Sequence, residues 1–359
     1  MKSEARRVMI VVLVPGFPGN EQETDCLPPV QTFVKAITRR NPDKSIHVVS
    51  LQYPFRKRTY SWNGVTVHAL AGGNKRFPLR FLCWIQAARI VLQLIRSHRV
   101  VVLHSIWLAE CTYLASWILW FRRTHAVKHI ATIIGQDALA NNPYLKHLQF
   151  DRMTITATSG HAAEEFQRST GRQVQHVIPI GLDAAEFHTD VCTLERTIDV
   201  LGAGSLIPIK NYRLFLEIVS QLAPEFPGLR CVILGEGPER PLLEDYIGAH
   251  NLKHAVQLAG HVPREKVLET MSRSRIFLHT SDYEGQGYVL LEALAAGTRV
   301  VCRDVGYTGD SAAVVRCKST PEMVNALRSL LSDPQEQIDS NVLTIDQTAE
   351  AFEKIYGLG

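Results

Sequence analysis

Short apolar runs of strand length alternate along the whole chain with longer stretches of helical amphipathic spacing. In the second half, Ile198–Gly204, Leu229–Leu234, Ile276–Thr280 and Thr298–Val301 read as strands, and Val256–Val262 as a shorter one. Tyr212–Leu222 has the spacing of a half-buried helix, and Glu292–Gly297 begins a helix of small residues. In the first half the expected strands are Val8–Val14, Ile46–Gln52, Val65–Leu70, Val100–His104, His129–Ile134, Ile155–Thr158 and Val174–Ile178. Asn63-Gly64 marks a tight turn. A last amphipathic stretch, Thr344–Tyr356, follows a break at Asp333-Pro334. Strands alternating with helices predict parallel sheets, with ligand chemistry at the carboxyl ends of the strands.

At 359 residues the chain is long enough for two cores. No run reaches the roughly 18 apolar residues that a membrane-spanning helix needs, and the longest, Cys111–Phe121, has the length of a buried helix. Arg6-Arg7 followed by Val8–Val14 mimics a short signal peptide. The run ends in Pro15-Gly16-Phe17-Pro18-Gly19 without a small-residue cleavage site, so it reads as a first parallel strand. The seven cysteines (26, 83, 111, 192, 231, 302 and 317) are scattered, odd in number and without a Cys-x-x-Cys pair. They fit reduced thiols in a cytoplasm, and no zinc spacing or internal repeat is present.

Net charge is only +4, but it is unevenly divided. Residues 1–183 hold 23 Lys and Arg against 11 Asp and Glu, and residues 184–359 hold 16 against 24. The basic half is therefore expected to meet an anionic partner. No nucleic-acid motif occurs. Basic residues interleave with aromatics in Arg76-Phe77-Pro78-Leu79-Arg80-Phe81-Leu82-Cys83-Trp84 and in Trp117–Arg123. An anionic membrane surface suits that pattern, which predicts a cytoplasmic protein peripheral on the inner face of a membrane. The competing reading is a core helix with a solvated basic face.

Chemistry concentrates between Glu284 and Glu292. These carboxylates bracket Gly285-Gln286-Gly287, a Gly-x-Gly turn between a strand and a helix start. Such a geometry points backbone N–H groups at an anion. Carboxylates repel that anion but accept from hydroxyls, so the pair suggests a sugar and a ribose at the two ends of a diphosphate. Lys210 stands just before the Tyr212–Leu222 helix, where an ammonium reaches phosphate oxygens. Leu234-Gly235-Glu236-Gly237-Pro238-Glu239-Arg240 repeats the strand, glycine turn and helix order.

From about residue 198 to 302 the chain resembles glycosyltransferase family 4 (group 1). The matching pieces are Gly204-Ser205-Leu206 with Lys210, Leu234–Arg240, Ala259-Gly260-His261-Val262, and Glu284–Glu292 followed by Ala293-Leu294-Ala295-Ala296-Gly297. Ile178-Pro179-Ile180-Gly181-Leu182-Asp183 with Phe187 extends the likeness weakly into the first half. The resemblance implies an α/β GT-B fold, two Rossmann-like domains facing across a cleft. The expected domains are residues 1–183 on the acceptor side, 184–340 for the nucleotide-sugar, and 341–359 as a helix packing back toward the first.

The resemblance further implies a retaining, metal-independent hexosyltransferase that uses a UDP- or GDP-linked sugar as co-substrate and needs no cofactor. No Asp-x-Asp motif contradicts this. The acceptor would be a carbohydrate or a lipid-linked molecule, in polysaccharide or glycolipid synthesis. Lys210 and Glu284 are the expected catalytic residues. Donor contacts are expected from Gly19, Ser205, Lys210, Gly260, His261, Val262, Glu284, Gly285, Gly287, Tyr288, Val289 and Glu292. His104 and Asp137 are expected on the acceptor side, each at the end of a strand. Two positions depart from the family: Ile134 stands where a histidine is frequent, and Ser205 where an arginine is common. Two other readings stay open, a nucleotide-sugar-binding protein without turnover and a sugar-nucleotide epimerase of the same fold.

Overall fold

The structure, a computed structural model, describes residues 8–76, 78–97, 101–121, 127–187, 195–306, 309, 311–333 and 342–358. Phe77, Val100, Arg122, Arg123, Cys192, Pro334 and residues 188–194 of the expected linker lie outside the described residues. The chain divides into two units, Met1–Ile180 with Ile345–Gly359, and Gly181–Thr344.

The first unit is built on eight strands: β1 (Met9–Gly16), β2 (Ser45–Tyr53), β3 (Arg58–Trp62), β4 (Val65–Ala69), β5 (Val101–Ile106), β6 (Val127–Ile133), β7 (Thr154–Ala157) and β8 (His176–Val177). Their order is β3-β4-β2-β1-β5-β6-β7-β8, parallel except for β3. Helices α1 (Pro28–Arg40), α2 (Leu79–Ser97), α3 (Glu110–Phe121) and α4 (Gly160–Thr170) connect them. Met9–Val14 are all buried, because a central parallel strand is covered on both faces. That is why it reads as an unbroken apolar run rather than an alternation. Strand β3 was not expected from the pattern. It exists because Asn63 and Gly64 both take positive φ (46° and 79°), the turn that folds a two-residue hairpin onto β4.

The second unit carries β9 (Ile198–Ala203), β10 (Cys231–Leu234), β11 (Val256–Gly260), β12 (Ser274–His279), β13 (Arg299–Arg303) and β14 (Val314–Cys317). All pairings are parallel, in the order β11-β10-β9-β12-β13-β14. Helices α5 (Tyr212–Leu222), α6 (Arg240–Ala249), α7 (Arg264–Ser272), α8 (Tyr288–Ala295) and α9 (Thr320–Ser332) cover its faces. Phe215, Leu216, Ile218, Val219 and Leu222 of α5 are buried against Val200 and Ile233 of the sheet, which accounts for its amphipathic spacing. The unit closes on itself where Leu182 N–H donates to Leu343 O at 2.9 Å.

The last helix, α10 (Ile345–Tyr356), belongs to the first unit. It packs on α1 through an edge contact of Phe33 with Phe352, ring centres 4.9 Å apart. Arg40 and Asn41 both bond Glu353, at 2.8 and 2.7 Å.

Candidate functional site

In the second sheet the strand order reverses between β9 and β12, so the loops after these two strands open a crevice at their carboxyl ends. The loop after β9 runs through Gly204 and Ser205 to Lys210, and the loop after β12 from Thr280 to Gly287. They brace one another. Thr280 Oγ1 donates to Lys210 O at 3.0 Å, and the Asp282 N–H donates to Ile209 O at 2.9 Å. Asn211 caps α5 by accepting from the Leu214 N–H, and its Nδ2 donates to Asp282 Oδ1 at 3.2 Å. Gly235, after β10, allows this crowding. A Cβ there would stand 1.9 Å from Gly204 O, and its φ is +139°.

This bracing puts the Lys210 ammonium in an ion pair with Glu284 Oε1. His279 Nε2 lies 3.0 Å from the same oxygen. Burial works against ionisation of Glu284, but the hydrogen bond from His279 and the charge of Lys210 outweigh it and hold the carboxyl at about 2. Glu284 is therefore ionised throughout the physiological range. Gly287 (φ +74°) starts α8 without a capping side chain, and a Cβ on it would lie 3.7 Å from Glu284 Cβ. The positive end of the α8 dipole thus stands beside Glu284, and Gly285, Gly287, Tyr288 and Val289 form the turn and first residues of that helix start.

Glu292, farther along α8, is 7% exposed. Its Oε1 accepts from Arg264 Nε at 3.0 Å and Nη2 at 2.7 Å, while Arg264 Nη1 lies 2.9 Å from Glu186 Oε2. The second contact is an ion pair without an aligned N–H, since that Glu186 oxygen has no hydrogen bond. Burial raises the Glu292 carboxyl and the Arg264 charge opposes the rise. Sequence reasoning missed Arg264 and His279. Nothing in the spacing ties Arg264 to Glu292. His279 did carry a signal, as a polar residue ending an apolar strand in a parallel sheet. Gly260, at the end of edge strand β11, turns the chain with φ +78° and accepts the Gly235 N–H at 2.8 Å. His261 after it is exposed and Val262 half-buried.

Two expected contacts are corrected. His104 does not face outward: it is 1% exposed, with Nδ1 2.6 Å from the Tyr356 hydroxyl of α10 and Nε2 2.6 Å from Thr132 Oγ1. It closes a core where α10 lies over β5 and β6, so it has no nitrogen left for an acceptor. Asp137 is also buried, and its carboxylate accepts from the N–H groups of Leu108 (2.7 Å) and Gly135 (2.7 Å). It pins two loops rather than offering itself to a hydroxyl. The Gly19 N–H donates to Glu23 Oε2 at 2.7 Å and its carbonyl accepts from Arg58, so its backbone is already engaged. Among the described residues, no three His, Cys, Asp or Glu side chains gather where a metal ion could be held.

The Glycosyl transferases group 1 family profile matches residues 190–341. Alpha-D-kanosaminyltransferase of Streptomyces kanamyceticus is 27% identical over 292 residues, 78% of this chain and 71% of that protein. The phosphatidylinositol N-acetylglucosaminyltransferase gpi3 subunit of Schizosaccharomyces pombe is 30% identical over 289 residues, 77% of this chain but 63% of its own length. A human phosphatidylinositol N-acetylglucosaminyltransferase chain is 30% identical over 134 residues, 37% of this chain and 28% of its own length. The chain thus spans less than two thirds of these last two relatives. Among solved structures, sucrose-phosphate synthase from Thermosynechococcus elongatus superposes with a TM-score of 0.75 at 16% identity, covering 98% of this chain and 99% of that one. Anabaena HepE in complex with UDP gives 0.63 at 14% identity, covering 98% and 95%.

Proposed function

On the premise that this chain belongs to the group 1 glycosyltransferases and has their GT-B fold, we propose that it transfers a hexosyl group from a nucleoside diphosphate sugar to an acceptor hydroxyl, with retention of configuration. The observation that carries this reading is the meeting of Lys210, Glu284 and the uncapped start of α8 in the crevice between β9 and β12. The donor diphosphate would lie against Lys210 and the amides of Gly287, Tyr288 and Val289, where charge develops as it leaves. Glu284 would hold the sugar hydroxyls nearest the reacting carbon. Glu292, held by Arg264 through Oε1, would present Oε2 to the ribose, and the base would lie toward Gly260–Val262. Ser205, exposed in the same loop as Lys210, would take a phosphate oxygen. The acceptor oxygen forms its bond to the anomeric carbon on the face from which the diphosphate departs. The broken bond's electrons go to the phosphate oxygen, and the acceptor's proton follows them. UDP is a reasonable first donor base because HepE is a structural neighbour solved with it.

A thermal-shift panel of UDP, GDP, ADP and CMP with their sugar conjugates tests the donor site, since a ligand that binds only the folded chain must stabilise it. One nucleoside diphosphate is expected to raise the midpoint. Glu292→Gln should reduce that shift, while Glu284→Gln should keep it and lose turnover. Equal loss of binding in both variants contradicts the division of roles, and no shift with any member sinks the donor site.

We further propose that the acceptor is lipid-linked and met at an anionic membrane surface. No described helix is long and apolar enough to cross a membrane. The first unit instead exposes Phe55, Leu79, Phe81 and Leu82. Phe55 lies over Gly73, where a Cβ would be 3.0 Å from its ring, so the loop after β2 and the loop that leads into α2 are neighbours. Arg56, Lys57, Arg58 and Arg76 in the same segments are exposed. Between Asp43 and Glu110 the chain has ten Lys and Arg and no carboxylate. Each basic residue near an anionic leaflet contributes ~1 kcal/mol. The protein should sediment with phosphatidylglycerol-rich vesicles and not with phosphatidylcholine alone, and Phe81→Ser with Leu82→Ser should release it. Equal partition to both vesicle types contradicts the proposal.

A further inference from the structure

His279 ends β12 with its side chain 4% exposed. Its Nε2 stands 3.0 Å from Glu284 Oε1 and 3.0 Å from Ser281 Oγ. Its Nδ1 is buried without a hydrogen-bond partner. An ionised carboxylate only accepts, so Nε2 must carry the hydrogen. Nε2–H is thereby a fixed donor to Glu284 at the end of a rigid strand.

Lys210 bonds the same Glu284 oxygen, but differs in every property that matters for holding it. Its ammonium sits on a flexible stem, its side chain is 24% exposed, and it carries a charge that a diphosphate attracts more strongly than one carboxylate does. His279 has no such alternative partner, being enclosed by Ser281, Glu284 and the strand that bears it.

We infer that His279 is the positioning residue of the sugar site: it keeps the Glu284 carboxylate aimed at the transferred hexose while Lys210 turns to the donor diphosphate. The inference rests on the donor-site reading above, which places the sugar hydroxyls at Glu284. The division of labour is physical. A single mobile cation cannot both follow the leaving group and fix the carboxylate, whereas a buried N–H donor on a rigid strand adds direction without following the phosphate. His279 touches no reacting atom and acts only through Glu284.

The test compares His279→Leu, which removes the donor at similar volume, with His279→Gln, which returns an N–H at the reach of Nε2. Turnover is read as nucleoside diphosphate release from UDP-glucose, UDP-N-acetylglucosamine and GDP-mannose, and binding as the thermal shift given by UDP or GDP alone. The leucine variant should lose about 10- to 100-fold in kcat, the scale set by a misplaced catalytic contact. Its donor KM and nucleotide shift should stay within about twofold of the parent. The acid limb of its rate profile should move to higher pH, since Glu284 has lost one of the two groups that keep it ionised. The glutamine variant should recover most of kcat. A kcat unchanged by leucine, or losses in the glutamine variant equal to those in the leucine variant, overturns the inference. Should the leucine variant not fold, His279→Asn, whose amide falls short of Glu284, takes its place against glutamine with the same expectations. A parent protein that binds no nucleotide, or releases none, overturns the donor-site reading and this inference with it. A parent active on a donor, with variants that lose nucleotide binding as steeply as kcat, leaves that reading intact and overturns the inference alone.

Discussion

Replacing Lys210 by methionine is expected to lower the rate of sugar transfer by about 10²–10³, the cost of removing one preorganised charge from a developing anion. Donor KM should rise far less, because the helix start and Glu292 still hold the nucleotide. The substitution also leaves Glu284 buried with His279 as its remaining partner, and an imperfectly paired buried carboxylate costs ~1–3 kcal/mol of stability. These two effects separate cleanly. In a Lys210→Met, Glu284→Gln double variant the stability should return while turnover stays low. Steady-state kinetics and chemical denaturation on the three variants check this. Turnover per folded molecule in Lys210→Met equal to that of the parent would show that Lys210 acts only as the structural partner of Glu284.

The second large effect is a loss of stability in mild acid, seated in the first unit. His104 is enclosed beneath α10 and His129 on the opposite face of the sheet, beside Ser105 and Thr112 of α3. Burial lowers them from an ordinary 6.5 to about 3 and about 4, with the neighbouring His129 adding to the fall for His104. Burial also lowers His68. An imidazole held below its ordinary value takes up its proton first in the unfolded chain. The stability it contributes is therefore complete above pH 6.5 and is lost as pH falls toward the folded value. Each such group sets a slope of ~1.4 kcal/mol per pH unit, so His104 and His129 together approach ~2.7 between pH 6 and 4.5. The Glu284 carboxyl adds its own loss in the same direction only below its ordinary 4.5, which leaves the upper window to the histidines. A thermal midpoint that falls steeply from pH 6.5 to 4.5, and less steeply in His104→Gln, is the expected result. A level midpoint from pH 7 to 5 contradicts neutral buried imidazoles.

The same histidine shows how far residue order alone could be read. His104 ends an apolar strand, and strand ends in parallel sheets carry ligand chemistry, so an outward role was a sound expectation. Chain order could not reveal that α10, some 250 residues later in sequence, lays Tyr356 against it. Asp137 failed for a related reason. Its carboxylate is satisfied by Leu108 and Gly135, partners that no local spacing announces. Hairpin strand β3 was hidden because its half-exposed residues lack an apolar run, although the Asn63-Gly64 turn that makes it was visible.

What the sequence determined by itself was everything with a short-range cause. Apolar runs and helical spacing follow from which faces must be buried, and glycine turns at strand ends follow from backbone freedom, so the α/β class and the Lys210, Glu284 and Glu292 constellation were legible. Pairing at long range came from the packed chain alone: Lys210 and His279 sharing one oxygen of Glu284, Arg264 gripping Glu292, and α10 sealing His104. Hydrogen bonds and ion pairs depend on angstrom distances between segments. Those distances are set by sheet order and helix packing, which a linear pattern constrains only in class.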